Sequence, residues 1–120
     1  MTDKATRDGL RIVAMIQACE EAKRDAEGGK STFMEAGVQQ KAVLLDLIHL
    51  TESAERLSPG MKDRNPNIPW ERLSRLRNRG LVHDYAEVDL EDLWAFVHND
   101  LPRIRRQLDR LRYPKAGDAD

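Results

Sequence analysis

Hydrophobic residues recur at helical spacing in four separate stretches of this chain, and strand-type alternation is scarce. In the first stretch, from about residue 4 to residue 27, the apolar stripe is Leu10, Val13, Ile16 and Cys19. A pair of glycines at 28 and 29 follows, and glycine readily adopts the left-handed conformation that ends a helix. The pattern therefore predicts a long first helix that turns this stripe to the core.

The second stretch begins after Ser31, a good N-cap residue, and runs from about residue 32 to residue 57. Its apolar positions follow steps of four and three: Val43, Leu47, Leu50, Ala54 and Leu57. Leu44 and Ile48 widen this stripe, so we expect the second helix to be buried on more than one side. Three prolines between 58 and 69 then predict a polar loop, because proline lacks an N–H and disfavours helix in the preceding residue.

A short third helix is predicted from about 70 to 82, and the last helix begins after Asp89, another good N-cap. The apolar stripe of the last helix keeps one register along its length: Leu90, Trp94, Val97, Leu101, Ile104, Leu108 and Leu111. That register continues through Pro102, where we expect a kink or a brief break. These elements predict an all-α, up-and-down four-helix bundle with a short third helix and a kinked last helix.

Length and composition fit one helical domain over residues 1–113, followed by a disordered tail at 114–120. The 20 basic and 21 acidic residues give a net charge of −1, so no overall basic field attracts nucleic acid. The single cysteine, Cys19, excludes an intrachain disulfide and is expected to be a buried, reduced thiol. No apolar run approaches the roughly 18 residues of a membrane span, and the N-terminus is polar. We therefore expect a cytoplasmic protein with no membrane partner.

Chemically versatile side chains concentrate at the end of the third helix and just beyond it. His83 can give or take a proton near neutral pH, and Arg77 and Arg79 carry forked donors that match phosphate oxygens. Tyr85 adds a hydroxyl group two residues after His83. A helix end covered with solvated charges is the alternative interpretation of this pattern.

The sequence predicts no metal site and no cofactor. His49, His83 and His98 lie far apart in the chain, and no His-x-x-x-His or clustered carboxylate pattern accompanies them. We expect His49 to be a partly buried helical residue with a local partner, and His98 to be a structural or surface residue. The residues alone therefore favour metal-independent phosphate chemistry or no chemistry at all.

Several segments occur in an order that characterises one family. Residues 50–58 match its second-helix signature, and residues 68–70, Ile-Pro-Trp, precede the short helix as in the family. Residues 77–85 match its active-site motif, in which an Arg, a short gap, a His, one further residue and a Tyr follow one another. The chain thereby resembles the HepT toxins of the HEPN superfamily. Gly80 and Thr51 depart from the usual pattern, the first inside the Arg–His gap and the second in place of a helix glycine.

The resemblance implies a HEPN-like helical bundle that forms a homodimer and acts as a metal-independent ribonuclease. It also implies a cognate antitoxin, a nucleotidyltransferase of the MNT type. In this picture Arg77 and His83 are catalytic, Asn78 and Arg79 bind or orient the RNA substrate, and Tyr85 accepts AMP from the antitoxin. The alternative is a non-catalytic helical protein that binds a nucleotidyltransferase.

Helix geometry restricts how the motif could assemble. Six residues turn an ideal helix through about 240°, so Arg77 and His83 would meet only if the helix ends or distorts near Gly80. Arg79 and His83, four residues apart, would share a face of an unbroken helix, which makes Arg79 the reserve choice for the catalytic arginine. One chain supplies one motif histidine, so acid and base chemistry together favour a two-fold dimer that joins two copies of residues 77–85.

Overall fold

Short interruptions of helical backbone divide the chain into successive elements in the computed structural model, which describes residues 3–78 and 88–112. The elements in these ranges are α1 (Lys4–Asp25), α2 (Lys30–Glu35), α3 (Gly37–Glu55), α4 (Pro59–Arg64), α5 (Trp70–Leu76), α6 (Leu90–Ala95), a π-helical turn (Phe96–Asp100) and α7 (Leu101–Arg112). No strand occurs within the described ranges, and the prediction of an all-α fold is confirmed.

The antiparallel pair of α1 and α3 forms the centre of the fold. Asp8, near the start of α1, bonds to Ser58 just beyond α3, whereas Asp25, at the end of α1, lies beside Asp46 of α3. Apolar side chains of both helices fill the space between them and α7. The buried apolar residues of α1 are Ile12, Met15, Ile16, Ala18, Cys19 and Ala22.

The predicted stripe of the first helix is only half right. Ile16 and Cys19 are buried as expected, but Leu10 is 62% exposed and Val13 is 38% exposed. Ala18, Ala22 and Met15 take the core-facing places instead. Alanine buries little apolar area, so its hydrophobic signal is weaker than that of an exposed leucine, and the sequence pattern misplaces the core face.

The predicted second helix is in fact two helices, separated at Ala36, which leaves the helical region at φ −101° and ψ 90°. The side-chain Nε2 of Gln40 donates to the carbonyls of Phe33 at 2.8 Å and Met34 at 3.0 Å. These bonds satisfy carbonyls that the end of α2 leaves without helical partners. The first helix of the pair begins after Gly29, whose φ of 90° suits glycine, and not after Ser31.

Beyond the break, α3 buries the stripe that the sequence predicts: Val43, Leu47, Leu50, Ala54 and, just past the helix end, Leu57. Thr51 is 1% exposed, and its hydroxyl donates to the carbonyl of Leu47 at 2.9 Å. The threonine that replaces the family's glycine is therefore accommodated with its hydroxyl hydrogen bond satisfied.

The prediction of a loop over residues 58–69 is wrong for α4. Pro59 occupies the first position of this helix, where its missing N–H has no intrahelical partner to lose. Ser58 caps the helix by accepting a hydrogen bond from the backbone N–H of Met61 at 3.4 Å. The Asp8 carboxylate accepts from the backbone N–H of Ser58 at 3.0 Å and from its hydroxyl, so α4 is tied to the start of α1.

The last helix begins where the sequence predicts. The Asp89 carboxylate accepts from the backbone N–H groups of Glu91 at 2.9 Å and Asp92 at 3.2 Å. The π-helical turn then widens the helix immediately before α7, in which Pro102 is the second residue. The expected break near Pro102 is thus a change of helix type, which also lets Phe96 and Val97 both face the core.

The tail predicted at 114–120 lies outside the described residues, and the single-domain boundary at 113 stays a prediction. Of the helices in the described ranges, none combines the length and the apolar character needed to cross a membrane.

Candidate active site

Two of the five predicted site residues lie in the described part of the chain. Arg77 and Asn78 follow directly on α5, where helical backbone continues into a wider, π-type turn. Arg79, His83 and Tyr85 lie outside the described residues, as does Gly80 between them. The α-helical part of the predicted third helix ends at Leu76, and the helical backbone already changes type at Arg77.

The position of Arg77 depends on how α5 is held. Leu73 is fully buried in the core, and the partly exposed side chain of Trp70 packs against the same core. The indole Nε1 of Trp70 donates to the carbonyl of Asn65 at 2.9 Å, which fixes the start of the helix to the preceding turn. Both contacts lie on the core side of α5, so they hold the helix against α3 and set the direction in which its last turn points.

A second anchor for α5 comes from Arg72, a residue outside the motif of residues 77–85. Its guanidinium lies 2.8 Å from the Asp100 carboxylate and 5.4 Å from the centre of the Phe96 ring. Both partners belong to the π-helical turn, so Arg72 connects the helix that carries Arg77 to the last helix of the bundle. The sequence gives no spacing signal for this contact, because the residues are far apart in the chain.

Arg77 itself is half-buried, and its side-chain Nε is shielded from solvent. That Nε finds no hydrogen-bond acceptor among the described residues, and no carboxylate within them pairs with the guanidinium. Arg75, two residues earlier, differs: it is exposed and pairs with Glu71 at 3.4 Å. An arginine with no carboxylate partner among residues 3–78 and 88–112 has forked donors that suit an outside anion.

The two remaining histidines lie on other surfaces. His49 is exposed in a groove between α1 and α3, so the expectation that it is partly buried is wrong. His98 is also exposed, as expected for a surface residue, and its ring stacks on Trp94. Within the described ranges, no three His, Cys, Asp or Glu side chains come together as a metal-binding group.

The family model described as Ribonuclease HepT-like matches residues 15–111. A protein from Thermococcus cleftensis named "Probable ribonuclease HepT" is 33% identical over 73 residues, which are 61% of this chain and 66% of that protein. No solved structure gives a significant match.

Two relatives from Methanocaldococcus jannaschii are provisionally named as RNases. One is 28% identical over 79 residues, which are 66% of this chain and 64% of its own length. The other is 31% identical over 68 residues, which are 57% of this chain and 62% of its own length. The matched region thus spans slightly less than two thirds of each of these relatives and of the Thermococcus protein.

Proposed function

The chain belongs to the HepT-like ribonuclease family, and from this membership and the surroundings of Arg77 we propose that it is an endoribonuclease toxin of a prokaryotic toxin–antitoxin pair. The observation that carries the proposal is the half-buried guanidinium of Arg77, which has no carboxylate partner among the described residues. A cation that lies at a helix end, with no partner in the described part of the chain, suits a phosphate group.

The proposed reaction uses the 2′-hydroxyl of RNA as the nucleophile. His83 moves the protons, because an imidazole can act as base toward this hydroxyl and as acid toward the leaving 5′-oxygen. Arg77 stabilises the charge that develops on the phosphorus oxygens, and Asn78 and Arg79 bind or orient the substrate. None of these steps requires a metal ion.

We propose a homodimer as the working form, because one chain supplies a single motif histidine while cleavage needs both an acid and a base. Two copies of residues 77–85, related by a two-fold axis, would provide two His83 side chains and two Arg77 side chains in one groove. The residues that would form this groove lie mostly outside the described part, and the proposal rests on stoichiometry and family membership.

Tyr85 is the proposed point of control. A partner nucleotidyltransferase of the MNT type would transfer AMP from ATP to its hydroxyl: the phenol oxygen bonds to the α-phosphorus, pyrophosphate leaves, and the phenol proton goes to a base of the partner. The adduct would add negative charge and bulk to the motif of residues 77–85 and repel RNA. Intact-mass spectrometry after co-expression tests this, with Tyr85→Phe as the control that loses the AMP mass.

The nuclease proposal is tested by growth arrest in vivo and by cleavage of purified RNA. We expect Arg77→Ala and His83→Ala each to lower cleavage at least about 100-fold, the usual scale for an acid–base or phosphate-binding group. Arg75→Ala is the matched control, since it removes a neighbouring, exposed arginine that is already paired with Glu71. Circular dichroism should show unchanged helix content in all three variants.

Two outcomes would contradict the proposal. Full cleavage by Arg77→Ala and His83→Ala would favour the alternative, a non-catalytic helical protein that binds a nucleotidyltransferase. Loss of cleavage on addition of EDTA, restored by a divalent metal, would contradict the metal-independent mechanism while leaving the ribonuclease assignment intact.

A further inference from the structure

A groove on another surface of the molecule carries positive charge that the proposed reaction does not use. It lies between α1 and α7 and has a volume of about 430 Å³. Cys19, Val97 and Leu101, all buried, form its floor. Its charged walls are formed by Glu20, Lys23, Arg105 and Arg106.

The charges of these walls do not cancel. Glu20 pairs with Arg105 at 2.5 Å, and Asp109 pairs with the same guanidinium at 2.9 Å. The side chains of Lys23 and Arg106 make no ion pair or hydrogen bond with any other residue in ranges 3–78 and 88–112. Two cations that line a groove without partners in these ranges complement an anionic ligand.

An aromatic ring precedes the groove along the last helix, next in sequence to Val97, which lines the groove. His98 is about one helical turn before Pro102, which lines the groove, and its exposed ring stacks on Trp94 with 3.6 Å between ring centres and 26° between planes. Its Nδ1 lies 3.1 Å from the carbonyl of Trp94, which fixes the ring plane. Buried Phe33 supports Trp94 in turn, with ring centres 5.3 Å apart.

A stacking ring and a row of cations are the two features that bind single-stranded nucleic acids. A ring already held on one face leaves its other face to solvent, and bases of any identity stack on such rings. His98 and Arg106 are separated by about 12 Å along the helix, from a rise of about 1.5 Å per residue. That distance corresponds to about three or four stacked nucleotides.

We propose that the α1–α7 groove binds single-stranded RNA, with a base stacked on His98 and phosphates against Lys23 and Arg106. This deepens the proposed ribonuclease function and rests on it. The groove is separate from Arg77, so it acts as an additional anchor that holds a longer substrate. Its contribution should therefore appear in substrate affinity and KM, and not in kcat.

Binding is measured with the full chain and a fluorescein-labelled, fully 2′-O-methylated RNA of 12 nucleotides, by fluorescence anisotropy. This probe lacks the 2′-hydroxyl nucleophile, so the measurement does not depend on cleavage. We expect His98→Ala to raise Kd about five- to tenfold and His98→Phe to restore most of the affinity, because phenylalanine keeps a stacking face. His49→Ala, which removes an exposed histidine from another surface, should leave Kd unchanged.

The charged contacts are tested by the dependence of RNA affinity on salt concentration. In the double variant Lys23→Gln with Arg106→Gln, the slope of log affinity against log salt should fall by about 1.4, since each phosphate contact on a single strand contributes about 0.7. With cleavable RNA, all groove variants should keep kcat and raise KM for a 12-nucleotide substrate only. A dinucleotide substrate, too short to reach the groove, should show no change.

Two results would overturn the proposal. The first is a Kd for RNA and a salt slope that stay unchanged in every groove variant. This result would overturn the proposal even if the same variants bound a protein partner more weakly. The second is an equal loss of affinity in His98→Ala and His98→Phe with no fall in thermal stability, which would show that stacking is not the contact. If Arg77→Ala keeps full cleavage while the groove variants lose RNA binding, the ribonuclease mechanism fails and the RNA-binding groove stands.

Discussion

The carboxyl group of Asp46 in α3 lies beside the carboxyl group of Asp25 at the end of α1. Asp46 is 6% exposed, and its Oδ2 has no hydrogen-bond partner among the described residues. Burial and the neighbouring carboxyl groups of Asp25 and Glu21 raise the pKa of Asp46 to about 8. The two central helices therefore meet at a carboxyl group that keeps its proton at neutral pH.

Asp46 should make the protein less stable as the solution becomes alkaline. Its pKa is higher in the folded chain than in the unfolded chain, so its stabilising effect is complete below pH 4 and is lost as pH rises to about 8. We expect Asp46→Asn, which keeps the shape and removes the charge, to raise the free energy of unfolding at pH 8 by roughly 2 kcal/mol. Urea denaturation at pH 6 and pH 8.5 measures this.

The matched control for Asp46 is Asp63→Asn, which changes an exposed aspartate of α4. The control should leave the pH dependence of the wild type in place, whereas Asp46→Asn should flatten it. A pH dependence that is equally steep in Asp46→Asn would mean that another group binds the proton.

The hydrogen bonds between Asp8 and Ser58 should make the protein less stable as the solution becomes acidic, the opposite of the effect of Asp46. Burial by itself would raise the pKa of Asp8, but two hydrogen bonds from Ser58, with Lys4 and Arg64 nearby, hold it below its ordinary value. Its contribution is present above pH 4 and is lost as pH falls through the lowered pKa. We expect Asp8→Ala to cost about 2 kcal/mol at pH 7 and much less at pH 2.5, by urea denaturation.

The Arg72–Asp100 ion pair is expected to matter more for activity than for stability. Half of the Arg72 side chain is exposed, so the pair should contribute no more than about 1 kcal/mol to folding. Arg72→Ala should nevertheless reduce RNA cleavage, because it releases the last turn of α5 and shifts Arg77. Asp100→Asn should have a similar effect, and a double-mutant cycle should show that the two changes are not additive. Additive effects on cleavage would indicate that each residue acts independently.

Cys19 should be unreactive in the folded protein. Burial raises the pKa of its thiol to about 12, and only the thiolate reacts with disulfide reagents. We expect labelling by Ellman's reagent to follow global unfolding, slow in buffer and complete within minutes in about 6 M guanidinium. Fast labelling under native conditions would mean that the floor of the α1–α7 groove opens locally.

Much of the bundle could be predicted because its signals are local. Asp89 begins the last helix through its own side chain, and the stripe from Val43 to Leu57 repeats without interruption. The break at Ala36 could not be predicted, because Gln40, which stabilises it, bonds to carbonyls one helix earlier. The short helix α4 is hard to predict because proline is favourable at the first position of a helix and unfavourable inside one.

The candidate site also combines features that the sequence predicts with features that depend on contacts in the fold. A cluster of arginines around Arg77 is visible in the sequence, but nothing in it distinguishes Arg77, which has no carboxylate partner among the described residues, from Arg75, which pairs with Glu71. Asp46 carries a usable signal, since it is the one charged residue in the run from Val43 to Ile48. Its partner Asp25 lies on another helix and required the fold.

The π-helical turn at Phe96–Asp100 adds one residue to the last helix without changing the register of the segments on either side of it. Five residues of a π turn cover about the same rotation as four residues of an α-helix, each of which accounts for about 100°. Deleting one residue there would therefore leave a continuous α-helix in which α6 keeps its orientation relative to α7. Leu93 and Leu101, on either side of the turn, would both stay in the core, and only the residues inside the turn would change direction. Relatives of this chain that are one residue shorter here should therefore bury the same flanking positions.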